Sequence, residues 1–75
     1  MCSLDRVNIN EKVTVVNINN ESLIKRRLLD IGIIPGISIE KMLVSPFKGI
    51  SAYLVMDSLI AIRDSDAINI EVCYE

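Results

Sequence analysis

The stretch LLDIGIIPGIS, residues 28–38, constrains the fold more than any other part of the chain. Before it, apolar residues recur at helical spacing; after it, they alternate. Gly32 can take the left-handed conformation that closes a helix, and Pro35 stops that helix from resuming. Pro35 also presets one backbone angle of a turn whose next position, Gly36, accepts a positive φ. A helix must therefore end near residue 31 and a strand must begin near residue 37. This corner is sufficient reason for Gly32, Pro35 and Gly36, which are residues of a structural motif.

Upstream, ESLIKRRLLDI (residues 21–31) reads as the helix. Leu23, Ile24, Leu28 and Ile31 fall on one stripe, with Lys25, Arg26 and Asp30 elsewhere. Asn19 or Asn20 can cap its free amides, and Glu21 then sits in the first turn, where the helix dipole favours a negative charge. Arg27 breaks the stripe, and Leu29 projects from the polar side.

The rest of the chain alternates. EKVTVVNI supports a strand over roughly residues 12–18, and ISIEKMLVS a second whose faces are both apolar, as in a closed or well-covered sheet. ISAYLVM and LIAIR make a third and fourth strand joined at Asp57-Ser58, and INIEV makes the last. PFKG, residues 46–49, is a loop, and Asp64-Ser65-Asp66 supplies caps for a helical turn at Ala67. Five short strands and one helix, in a single domain over residues 1–75, imply a mostly β fold: a small antiparallel barrel with the helix packed on it.

Composition limits what such a domain can do. Eight Lys+Arg stand against ten Asp+Glu, a net charge of −2, so the excess positive field that phosphate contacts require is missing and nucleic acid is not an expected partner. The chain has no histidine, which removes the commonest metal ligand and general base. No serine has an evident activating partner, no glycine-rich phosphate loop is present, and neither Cys2 nor Cys73 is flanked by basic residues that would lower a thiol pKa. The expectation is a non-enzyme with no cofactor, no dedicated metal site and two free thiols. Asp57, Asp64 and Asp66 are the only acidic group near one another in sequence that could build an oxygen-ligand site, and a helix cap explains Asp64-Ser65-Asp66 better. With no basic leader before a long apolar run, and no stretch near the roughly 20 apolar residues of a membrane span, a soluble cytoplasmic protein is expected.

The ordered series RRLLDIGIIPGISIEKMLVSPFKG and LIAIRDSDAINIEV resembles the ferrous iron transport protein A (FeoA) family of SH3-like small barrels. The likeness lies in the helix end Leu28-Leu29-Asp30-Ile31-Gly32, the Pro35-Gly36 turn, the loop Ser45-Pro46-Phe47, the strand end Ala61-Ile62-Arg63 and the tail Ala67, Ile70 and Val72. It covers about residues 11–73. Two loops depart from the family pattern, at Asp57-Ser58 and Ile50-Ser51, and these bear on loop conformation rather than on the barrel. The resemblance implies a cytosolic accessory protein that binds a membrane ferrous iron transporter (FeoB-like); the lack of nitrogen ligands makes any transition metal contact weak or shared with a partner. It also implies a neighbouring reading, a stand-alone regulatory module related to the SH3-like domain of metal-dependent transcriptional repressors.

Four residues are candidates for partner binding. Leu29 beside Lys25 and Arg26 could form an apolar centre with a basic rim, or Leu29 could be covered by the residues after Gly32. Phe47, between Pro46 and Lys48, could be an exposed anchor or a plug for one barrel end. Arg27 reads as an aliphatic stem laid along the barrel with its charge lifted to water.

Overall fold

The computed structural model describes residues 2–45 and 49–75. A two-residue strand, β1 (Cys2–Ser3), leads into a 3-10 turn at Leu4–Arg6, followed by β2 (Lys12–Ile18) and helix α1 (Ser22–Asp30). Strands β3 (Ser38–Val44), β4 (Ile50–Val55) and β5 (Ser58–Arg63) follow, then a short helix α2 (Asp64–Ala67) and β6 (Ile70–Tyr74). All pairings are antiparallel and make one sheet in the order β1-β6-β2-β3-β4-β5.

The sheet wraps a single aliphatic core. Val13, Val15 and Ile18 of β2, Ile39 of β3, Tyr53 and Val55 of β4, Ile62 of β5, and Ile70 and Val72 of β6 all point into it. The architecture is the expected mostly β, SH3-like one, with two corrections. Six strands form instead of five, because Cys2 and Ser3 pair with Val72 and Glu71, and α2 is a second helix. The sheet also stays open: β5 bonds to β4 alone, while the chain crosses through α2 to β6 on the other side. The 3-10 turn, which the alternation pattern does not announce, contributes Leu4 and is followed by Val7, both fully or almost fully buried.

The junction folds as its residues require. Gly32 has φ +100°, its N–H donates to the Leu29 carbonyl at 3.1 Å, and the Ile33 N–H donates to the Leu28 carbonyl at 2.9 Å. That pair of bonds is the Schellman closure, completed by the burial of both Leu28 and Ile33. Pro35-Gly36 makes a turn closed by Ile37 N–H to the Ile34 carbonyl at 3.2 Å, with φ +95° at Gly36. Gly36 N–H also donates to the Val15 carbonyl at 2.7 Å, which fastens the turn to β2.

Local expectations fail where tertiary contacts override them. Glu21 is the residue before the first turn of α1, with no side-chain cap, because Asn20 turns its amide to the Asp66 carbonyl at 2.9 Å and is buried. The apolar stripe of α1 is narrower than expected: only Leu28 is buried, Ile24 is half-buried, and Leu23 is 78% exposed. The β4–β5 turn falls on Met56-Asp57, with φ +48° and +66°, one residue before Asp57-Ser58. This register pairs Val55 with Ser58 and keeps Ile60 and Ile62 on the core side, which a one-residue slip would reverse. Asp64 and Asp66 lie inside the first turn of α2, where their charge suits the dipole, and Arg63 occupies the cap position. Cys2 and Cys73 are free thiols.

Candidate functional site

Helix α1 displays Lys25, Arg26 and Leu29 together. At 3.6 residues per turn, Leu29 falls between the directions of Lys25 and Arg26, so one helical face carries an aliphatic side chain between two cations. All three are exposed, Leu29 by 39%. The residues after Gly32 thus leave Leu29 only partly covered. Beyond the helix end, Ile31 and Ile34 are also exposed, and Met56 at the β4–β5 turn is 72% exposed. The Met56 sulfur lies 3.7 Å from where a Cβ on Gly32 would stand, so this turn borders the helix terminus. Phe47 lies outside the described residues.

Between α1 and β5 runs a cleft of about 290 Å³. Leu28 and Ile31 form its helical wall, residues Ile60 to Arg63 its strand wall, and Arg27 and Asp66 also line it. Arg27 is exposed at this rim with its neighbour Leu28 buried below. The sequence pattern gives no sign of this cleft, because it depends on which strand is left without a neighbour.

The other polar feature is internal. Lys41, only 7% exposed, directs its ammonium to the Asp5 carbonyl at 3.4 Å and lies 5.9 Å from the centre of the Tyr53 ring. Tyr53 donates from its hydroxyl to the Leu4 carbonyl at 3.5 Å. Burial pushes the Tyr53 phenol up to about 12, opposed by a hydrogen bond with Ser51 and assisted by the nearby charges of Asp64 and Asp5. A phenol held protonated in this way is a donor that secures the N-terminal turn to the sheet, not a base. One buried oxygen of Asp5 has no partner among the described residues. Lys41 reaches this position because β3 alternates Ile39 and Lys41 inward before a bulge, after which Leu43 turns outward.

Among the described residues, no group of three or more Cys, Asp or Glu side chains is placed to hold a metal ion. No described helix is long and apolar enough to cross a membrane.

The chain matches the FeoA domain family over residues 2–73. The solved structure of a FeoA-like protein from Clostridium acetobutylicum is 30% identical, with a TM-score of 0.87 over 97% of this chain and 85% of that one. A crystal structure of an iron uptake regulatory protein (FeoA) is 24% identical, with a TM-score of 0.85 over 96% of this chain and 93% of that one. A manganese-dependent transcriptional repressor in complex with manganese is 17% identical, with a TM-score of 0.89 over 99% of this chain and 36% of that one. The last two likenesses bear on the fold alone. No curated protein matches the chain significantly.

Proposed function

Because the chain belongs to the FeoA domain family, we propose that it is a small cytoplasmic accessory protein of ferrous iron transport. It docks onto a membrane ferrous iron transporter (FeoB-like) and catalyses no reaction itself. The observation that carries this reading is the family match, which extends from residue 2 to residue 73. The surface supports it, since Leu29 between Lys25 and Arg26 has the apolar centre and charged rim of a docking patch. Phe47 remains a candidate contact on its sequence position. The iron is the cargo of the transporter and needs no site on this chain.

Co-purification from native cells tests the proposal. The wild-type chain should associate with the transporter, and Leu29→Asp should lose association while staying folded. An exposed position tolerates this change at a cost of about 1 kcal/mol, from helix propensity and an unfavourable charge near the helix C-terminus. No association by the wild type, together with unchanged ferrous uptake on deletion, refutes the proposal; unfolding of the variant assigns Leu29 to the core. The whole-chain superposition on part of a repressor favours a second reading, a regulatory module that binds another protein. A co-transcribed DNA-binding protein that forms a complex with this chain, with no transporter association, would select it.

A further inference from the structure

We infer that the free edge of β5 is a strand-docking site, which takes an extended aliphatic segment with acidic flanks from a partner protein. The inference rests on reading the chain as a docking domain and specifies what part of the partner it holds.

The phase of the β4–β5 ladder decides which backbone groups are free. A two-residue turn at Met56-Asp57 makes Val55 and Ser58 the closing hydrogen-bonded pair. At the other end, Asp64 N–H donates to the Gly49 carbonyl at 2.7 Å, in the same phase. Hydrogen-bonded pairs alternate along an antiparallel ladder, so Ser58, Ile60 and Ile62 address β4, and Leu59, Ala61 and Arg63 direct N–H and C=O away from it. Among the described residues, the N–H and C=O of Leu59 and Ala61 and the N–H of Arg63 have no backbone partner, while the Arg63 carbonyl starts the bonding of α2. The two edges of the sheet also differ. β1 is blunted by its two-residue length, whereas β5 runs six residues in unbroken register, without proline or bulge.

The surroundings suit a strand. The cleft touches four consecutive residues, Ile60 to Arg63, which lie on alternate faces, so it follows the edge of β5 instead of one side. A second hollow of about 320 Å³ is lined mainly by the outward residues Leu43, Val44, Ile50, Ala52 and Ala61, with Ser45 and Ser51 also at its wall. Side chains of an added strand alternate between faces and would enter the cleft and the hollow in turn.

Charge sets the flanks and argues against a second copy. Arg27 and Arg63 line the cleft against the single carboxylate of Asp66, leaving it net positive. Pairing β5 with its own copy about Ala61 would place both α1 helices on the same face of the joint sheet. The two clefts, each net positive through Arg27 and Arg63, would then meet.

The test titrates the isotope-labelled full chain with the synthetic peptide acetyl-Glu-Val-Ala-Val-Ala-Val-Glu-amide, aliphatic on both faces between its acidic ends. Amides of Leu59, Ala61 and Arg63 should shift and gain exchange protection. N-methylating the peptide amides that face β5 should weaken binding about tenfold or more, as lost backbone bonds demand. Ala61→Pro should do the same, since proline is tolerated on an edge whose N–H the sheet does not use. If that variant does not fold, the methylated peptide decides the matter on the native chain. The inference is overturned by an absence of shifts at millimolar peptide, by shifts confined to α1, by equal binding of the methylated peptide, or by a β5-mediated dimer in sedimentation. Co-purification separates it from the transporter proposal. Equal transporter association by wild type and a folded Ala61→Pro overturns strand docking alone, whereas edge binding of the peptide with no transporter association overturns the transporter alone.

Discussion

Replacing Gly36 with alanine isolates a backbone cost that structure alone can assign. Nothing lies within 4 Å of the position an added Cβ would occupy, so no neighbour has to move. The N–H bonded to the Val15 carbonyl is retained, since alanine keeps that group. What remains is φ at +95°, a conformation that costs an L-residue roughly 1–2 kcal/mol. Alanine recovers part of this by restricting the unfolded chain, by about 0.4–1 kcal/mol. A net loss near 1 kcal/mol follows, which in a domain of this size lowers Tm by roughly 4–8 °C. Gly32→Ala should behave alike, because its φ is +100° and its nearest new contact, the Met56 sulfur at 3.7 Å, is ordinary van der Waals distance. Chemical synthesis supplies the control: D-alanine fits a positive φ and still restricts the unfolded chain, so at Gly36 it should raise Tm. Thermal unfolding followed by circular dichroism compares the three chains. A neutral L-alanine, or a D-alanine that destabilises, would refute the assignment and mean that the position excludes a side chain for some reason other than φ.

Two further perturbations probe the helix and the interior. Leu28→Ala removes the one buried side chain of α1 and should cost about 2–5 kcal/mol, with amides of residues 26–31 losing hydrogen-exchange protection before those of β2 and β6. Equal loss of protection throughout would show that the helix and sheet unfold as one unit. Tyr53 is neutral in the folded chain up to about pH 12, while its unfolded phenol titrates near 10, so the folded state binds the extra proton between those values. Stability from this group is complete below pH 10 and is lost as pH rises toward 12, by an amount of order 2 kcal/mol. Urea midpoints measured from pH 9 to 12 should fall more steeply for the wild type than for Tyr53→Phe, and parallel slopes would contradict the burial assigned to the ring.

The elements that were legible in the sequence are those specified locally. Gly32, Pro35 and Gly36 carry their own backbone preferences, and β2 through β6 announce themselves by alternation, so the junction and the strands appear close to where they were expected. The caps of both helices were not legible, since Asn20 had a better partner 46 residues away in Asp66. Alternation puts Lys41 on the same face as Ile39, but nothing local announces the Asp5 carbonyl and Tyr53 ring that receive its ammonium, nor the bulge after it that turns Leu43 outward. At the candidate site, the exposure of Lys25, Arg26 and Leu29 follows from helical spacing, but Leu23 does not obey it. The helix meets the rest of the domain through Leu28 and part of Ile24, so its covered stripe is too narrow to reach Leu23.

Closure was the one feature that alternation could not decide, because an inward-outward pattern is the same in a closed barrel and an open sheet. The decision belongs to the connection after β5. With only α2 and two further residues before β6, the chain crosses to the far side of the sheet and pairs there with β1 and β2, leaving β5 as the last strand. An open aliphatic edge ordinarily invites uncontrolled pairing. Here α1 makes one wall of the cleft beside that edge, with Arg27 and Arg63 among the lining, so on the strand-docking proposal a single strand would enter while a second sheet would meet a helix and two cations. The same helix presents Lys25, Arg26 and Leu29. At 100° per residue, that face points nearly opposite to Arg27, Leu28 and Ile31, which wall the cleft, so the proposed helix patch and the proposed strand edge would be two separate contacts, and a partner using both would have to reach around α1.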